Sequence, residues 1–398
     1  MLLSDEIRGR LAEVFSLKSY KIDHVVHGAI ASAATYGAMM GATAEQIESA
    51  IGMVVAHYIP FRAIRAGKQL SDSKGASAAI STEAAIMCVN RSMAGFMGPR
   101  DIFRNPEAIF RFFEPTTGVE ANRDLIDLTL GNKVRWGPGE SPFNLVLSHS
   151  GSDFAVMGMH FKLGLYEHQS AGAIEGIKRI FYENPEILSN PDDISLIEIT
   201  SYEPAFGIIG DPAKLTPTTR QSADHSMVYI ISRLIKKAID MGPAGFPDNE
   251  FDTWKALMLA PEDYGSEALY DDTTRAFMQK FKFVHGGEKY DNDYPDGIPT
   301  SLTIHTNSGK KFESGYVMYP PGHARNTSMD LPAILAAKNQ LLGKIAVADV
   351  DKCVNMVDSI ESLSAAEMLE IYNHPFRTDP APIDGPGTCP SHWEALAK

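Results

Sequence analysis

The sequence predicts a mainly α-helical protein with an α+β insert: an all-helical domain built from both ends of the chain, and a smaller mixed domain between them. Three observations predict it. Small and apolar residues recur at helical spacing through residues 5–95. β-Branched runs appear in 194–200 and on both sides of an Asn307-Ser-Gly309 turn. Helical periodicity then returns beyond Pro320-Pro321-Gly322. On this reading residues 1–130 are the first part of the helical domain, 131–153 a linker, 154–320 the α+β domain, 321–376 the returning helices, and 377–398 an extended tail.

Residues 5–17 place Ile7, Leu11, Val14 and Phe15 on one helix side. Residues 28–41, GAIASAATYGAMMG, form a helix of little side-chain bulk that neighbours can approach closely. Thr43-Ala-Glu-Gln46 is a capping box, and its helix turns Ile47, Ile51, Val54 and Val55 inward. Ser71-Asp-Ser-Lys74 opens a third helix running to about Gly95, and a short aromatic helix is expected at 108–113. Glycine and proline punctuate 131–153. Residues 168–182 read as a helix, 194–200 as a strand, 224–240 as a helix and 301–318 as a hairpin. Helices follow at 331–344 and 349–360, with a second capping box at Ser364-Ala-Ala-Glu367.

A chain of 398 residues with 44% apolar and 22% charged composition is long enough for two ordinary cores. The formal charge of -14 disfavours nucleic acid and anionic membrane as partners. It also makes the local run of cations at Arg62, Arg65, Lys68 and Lys74 stand out. Cys88, Cys353 and Cys389 are far apart, without CxxC or Cys/His grouping, so no metal or iron–sulfur cluster and no disulfide framework is expected. No apolar run reaches membrane-spanning length and the N-terminus lacks a signal-peptide pattern, which points to a reducing, cytoplasmic setting, or the mitochondrial matrix in a eukaryote.

Several positions carry chemistry-bearing side chains. Asp23-His24 sets an imidazole beside a carboxylate at a helix head; the plain alternative is a structural hydrogen bonder. Arg62 and Arg65 share a face on a helical turn and suit bidentate carboxylate recognition; otherwise they are a solvated basic loop. Lys74 opens an apolar helix, where burial beside a ligand would tune it, although exposed lysines are common there. Lys162, His168, His225 and Arg325 complete the candidates, with Asp224 read as a helix cap before His225. No GxGxxG, GxxxxGK[ST], HExxH or GxSxG motif occurs, which leaves cofactor-free acid–base chemistry or none.

Asp23-His24-Val25, the Arg62/Arg65/Lys74 spacing, Phe161-Lys162, Ala223-Asp-His225-Ser-Met-Val-Tyr229 and Tyr319-Pro-Pro-Gly-His-Ala-Arg325 resemble, in order, the MmgE/PrpD family, and most closely its 2-methylcitrate dehydratases. The resemblance implies a helical domain, an inserted α+β lid, an active site between them, and a homodimer. It implies a cofactor-independent hydro-lyase that dehydrates 2-methylcitrate, or a close tricarboxylate, to 2-methyl-cis-aconitate in propionate breakdown. His24 and Lys74 would be catalytic; Asp23, Arg62, Arg65, Lys162, His168, His225 and Arg325 would bind substrate. The alternatives are a cis-aconitate decarboxylase, an imino-diacid epimerase, or an inactive member. The chain begins where relatives already have a helical region, which implies either a truncated or split polypeptide or a partner chain that supplies the missing part.

Overall fold

The computed structural model describes residues 2–14, 17, 20–65, 70–103, 147–209, 212–373 and 377. Lys68, Phe15, the expected helix at 108–113, most of the 131–153 linker, His374 and nearly all of the tail, with Cys389, lie outside the described residues. The chain divides into two compact units, Met1–Met159 and His160–Lys398.

Unit one is helical. Four helices, α1 (Leu2–Val14), α2 (Val25–Met39), α3 (Ala44–His57) and α4 (Asp72–Met93), pack together, with α4 against both α2 and α3. The Thr43–Gln46 capping box forms as expected, Thr43 Oγ1 accepting from the Gln46 amide at 3.2 Å and Gln46 Oε1 accepting from the Thr43 amide at 2.9 Å. Small residues set the packing distances, with Ala29, Ala33, Ala50 and Ala85 in one buried cluster. Gly52 is required: a Cβ there would lie 1.7 Å from the Pro99 carbonyl oxygen. The Glu6 carboxylate on α1 is fully buried and accepts from the amides of Ser148 and Ala155, with Arg10 beside it, so the 148–155 segment is held to α1.

Unit two is built on a four-stranded sheet, order β2-β1-β3-β4, from β1 (Ile194–Ser201), β2 (Phe281–His285), β3 (Thr300–Thr306) and β4 (Lys311–Val317). β1 pairs parallel with β2 and antiparallel with β3, and β3–β4 is the hairpin expected around Asn307-Ser-Gly309. Helix α5 (Ala171–Glu183) lies against the hairpin. Gly172 allows this, since a Cβ there would come within 2.4 Å of Thr300 Oγ1. Buried Glu175 on α5 meets Lys178, Arg179 and the Trp254 indole N–H, an internal charge group that is fully partnered. Helix α6 (Met227–Gly245) buries Val228, Ile231, Leu234 and Ile235 in the same core; its regular course is interrupted at Gly242, φ +63, just before Pro243.

The 224–240 helix starts later than expected. Asp224 does not cap it: Asp224 and His225 form a turn, and Ser226 accepts from the Tyr229 amide at 3.2 Å as the cap. β2 was not expected, because five residues with three aromatic rings give too short a pattern to separate from a loop. Helices α7 (Leu331–Ala346), α8 (Val350–Asp358) and α9 (Ala365–Tyr372) close the described chain, and Ser364–Glu367 forms its capping box.

Candidate active site

In unit one the fold brings five of the sequence-selected side chains together: Asp23, His24, Arg62, Arg65 and Lys74. The Ile22 and Phe61 backbones pair as an antiparallel bridge, and the Asp23 amide donates to the Pro60 carbonyl at 2.9 Å. This places the head of α2 beside the single 3-10 turn Arg62–Arg65. Asp23 is fully buried, and Arg65 grips it with two donors, Nε to Oδ2 and Nη2 to Oδ1, the latter at 2.9 Å. The Val25 amide donates to Oδ1 at 3.2 Å. Burial alone would raise the Asp23 carboxyl, but the Arg65 hydrogen bond, the charges of His24 and Arg65, and the Val25 amide hold it below its usual pKa.

His24 Nδ1 stands 3.4 Å from Asp23 Oδ1. Its pKa is lowered, by loss of solvent first and then by the cations Arg65, Arg62 and Lys74, against the opposing pull of Asp23. With 67% of this side chain still meeting water, the three cations outweigh burial. Lys74 sits in the first turn of α4, half-buried, close enough to act on the His24 charge. Arg65 spends two of a guanidinium's five N–H donors on Asp23, which leaves three for another acceptor. The cluster is therefore an imidazole biased to its neutral form, with three cations around it and one carboxylate that is already satisfied.

In unit two, Lys162 and His168 share a second cluster, of lysine and histidine side chains, that includes three residues not selected from the sequence as site residues. The His160 ring packs edge-on against His168, centroids 4.7 Å apart, and lies 5.6 Å from His323. The His160 and His323 backbones pair, with the Phe161 amide donating to the Gly322 carbonyl at 2.8 Å. Gly322 has φ +95, and a Cβ would meet the Phe161 carbonyl oxygen at 2.2 Å, so the Pro-Pro-Gly-His run needs its glycine. Burial, with neighbouring positive groups, takes His160 down to about 3 and His168 to about 4. Lys338 on α7 is lowered by burial and by Lys162. The Arg325 amide donates to His323 Nδ1 at 3.1 Å, which leaves the proton of neutral His323 on Nε2.

Two other selected residues sit elsewhere in unit two. The Arg325 guanidinium pairs with Asp296, whose other oxygen accepts from the Tyr319 hydroxyl at 2.8 Å. His225 Nδ1 is paired with Asp224. The Gly322-His-Ala-Arg run carried a signal for His323. His160 and Lys338 carried none, since only the fold brings them near Lys162 and His168.

Unit one thus sets three cations round a neutral-biased imidazole, and unit two sets Lys162 beside the buried, neutral-biased rings of His160 and His168. Residues 1–122 match the MmgE/PrpD N-terminal domain. The chain is 22% identical over 341 residues to the 2-methylcitrate dehydratase of Escherichia coli (strain K12), and 21% identical over 342 residues to that of Salmonella typhimurium. Each comparison covers 84% of this chain and 61% of the relative, so the chain spans about three fifths of the length of the curated relatives it matches. No helix among the described residues is long and apolar enough to cross a membrane.

Proposed function

We propose that this chain carries the acid–base and carboxylate-binding groups of a hydro-lyase acting on 2-methylcitrate or a close tricarboxylate. The observation that carries the reading is the grouping of Arg62, Arg65 and Lys74 around His24 in a molecule whose overall charge is -14. Abstracting a proton next to a carboxylate builds a second negative charge on that group, and fixed cations aimed at it lower the barrier. His24, held neutral by its neighbours, takes the proton from the carbon. Lys74 gives one to the departing hydroxyl. Arg62 and the free edge of Arg65 bind carboxylates, and buried Asp23 orients Arg65 and His24. In the second unit we assign carboxylate binding to Lys162 and His168. Arg325 and His225, each paired with an aspartate, shape their surroundings. The names of the curated relatives support the same class of reaction.

The test is a dehydration assay of the purified chain on 2-methylcitrate and citrate, beside Lys74→Ala with its folding checked by circular dichroism. Turnover by the parent and its loss in a folded Lys74→Ala variant are expected. Equal turnover by the two removes Lys74 from the mechanism, and release of carbon dioxide from cis-aconitate would move the chain to the decarboxylase branch of the family.

A further inference from the structure

The bridge that joins Arg62 to the head of α2 sets one more side chain beside the cluster. The Arg62 amide donates to the Lys21 carbonyl at 2.7 Å and the Asp23 amide to the Pro60 carbonyl at 2.9 Å, so two bonds bracket the Ile22–Phe61 pair. A pair bracketed in this way is the close, non-hydrogen-bonded kind, with Cα atoms about 4.5 Å apart and both side chains on one face. Lys21 enters the pairing at φ +60, a backbone region that lysine seldom adopts. The surrounding contacts hold the pairing in spite of that strain.

His24 lies two residues beyond Ile22, and Phe61 lies opposite Ile22, which makes the imidazole and the phenyl ring diagonal neighbours. In a regular ladder such neighbours are about 7–8 Å apart, within reach of an aromatic ring. Ile22 is buried in the core of unit one, whereas Phe61 is 63% exposed and so is most of His24. A lone exposed apolar residue is ordinary on a surface. This one is set apart by its neighbours: Arg62 follows it directly, Arg65 comes one turn later, and His24 sits diagonally across. Among groups that all offer charge or hydrogen bonds, the Phe61 ring offers apolar surface.

The reaction proposed above brings carbon to that surface. Arg62, Arg65 and Lys74 take up negative charge, and His24 removes a proton from carbon, so the carbon skeleton of the ligand must pass beside His24. An unsubstituted tricarboxylate presents only hydrogens there. One that carries an alkyl group presents a methyl that water solvates poorly.

We propose that Phe61 determines specificity for the alkyl substituent of the substrate, as the apolar wall against which the methyl group of an alkylated tricarboxylate packs. The inference rests on the hydro-lyase site proposed above and adds to it a choice between substrates. Burial of one methyl group favours the alkylated ligand about fourfold.

The test is calorimetric titration of citrate and of 2-methylcitrate into the full chain, as the parent, Phe61→Ala and Phe61→Leu, with dehydration of both compounds assayed alongside. The parent should bind 2-methylcitrate about fourfold tighter than citrate. Phe61→Ala should bind the two equally, with the affinity for citrate close to the parent's, and Phe61→Leu, which keeps an apolar side chain, should retain the preference. Helicity is checked by circular dichroism; should Phe61→Ala unfold, Phe61→Gln, which keeps the bulk and removes the apolar surface, decides the matter by the same comparison. A parent without preference, a Phe61→Ala variant that keeps it, or one that loses affinity for both ligands alike overturns the proposal. Turnover is read separately. Dehydration without a Phe61-dependent preference overturns this proposal alone, whereas a Phe61-dependent preference without dehydration supports the alkyl contact and overturns the hydro-lyase reading.

Discussion

Arg65 holds Asp23 through two guanidinium donors while Asp23 is fully buried, so the carboxylate at the head of α2 is anchored from a turn more than forty residues further along the chain. Removing Arg65 leaves a buried charge without its counterpart, and breaking such a pair costs about 3–5 kcal/mol. Arg65→Ala is expected to lower the denaturant midpoint of unit one accordingly, whereas Asp23→Asn, which removes the charge itself, should cost less. Equal losses from the two would show that the ion pair is not what the site rests on.

The same pair sets a pH dependence. The folded pKa of Asp23 lies below its unfolded value, near 3.9. Its contribution to stability is therefore fully present above the unfolded value and is lost as pH falls through the folded one. Thermal unfolding followed from pH 6 downward should show a loss setting in below about pH 4, and that loss should be shallower in Asp23→Asn.

His24 gives a prediction of opposite construction. Its pKa is lowered, with the cations Arg65, Arg62 and Lys74 among the causes, so the neutral base form persists to pH values below the ordinary imidazole range. Removing one cation makes protonation easier and raises the pKa. Arg62→Ala should move the acid limb of the kcat/KM profile toward higher pH while leaving a plateau at high pH. An unmoved limb would detach His24 from the base role or Arg62 from its surroundings.

Two glycines separate packing from backbone freedom. Gly52→Ala drives a methyl group into the Pro99 carbonyl, whereas a Cβ on Gly28 meets nothing within 4 Å. Gly52→Ala should destabilise by at least the 1–3 kcal/mol typical of overpacking. Gly28→Ala, inside helix α2, should be neutral or stabilise by about 0.5–1 kcal/mol. Thermal melts of the two variants decide this.

These examples also mark what the sequence made legible. The capping boxes at Thr43 and Ser364, the β3–β4 hairpin and the run of helices in unit one were readable because each depends on residues a few positions apart. The Asp23–Arg65 grip was only half readable: both residues stood out, but the bridge between Ile22 and Phe61 that joins them is a tertiary contact. β2 was missed because its pairing with β1, more than eighty residues away, is what makes Phe281–His285 a strand. Asp224 looked like a cap by type and position, yet the turn it shares with His225 shifted the helix start to Ser226.

The second cluster shows most clearly what only the fold supplies, and it carries the last prediction. His160, His168 and His323 come together through the pairing of the His160 and His323 backbones and the ring contacts of His160. Lys162 acts on His160 and His168, and Lys338 feels Lys162. The acidic groups facing this set are engaged: Asp296 with Arg325 and Tyr319, and Glu167 with Lys214 and Ser170. With no anion bound, burial and mutual repulsion keep His168 at about 4 and His160 at about 3, so both are neutral at pH 6. An anion placed among them favours their charged forms and raises those pKa values, so binding takes up protons. Titration of citrate into the chain, in buffers of different ionisation enthalpy, should report net proton uptake below about pH 6, with affinity rising as pH falls toward the free values. His160→Phe keeps the ring but removes its nitrogens, and should reduce that uptake without unfolding unit two. Citrate binding with no proton uptake would show that these histidines do not meet the ligand.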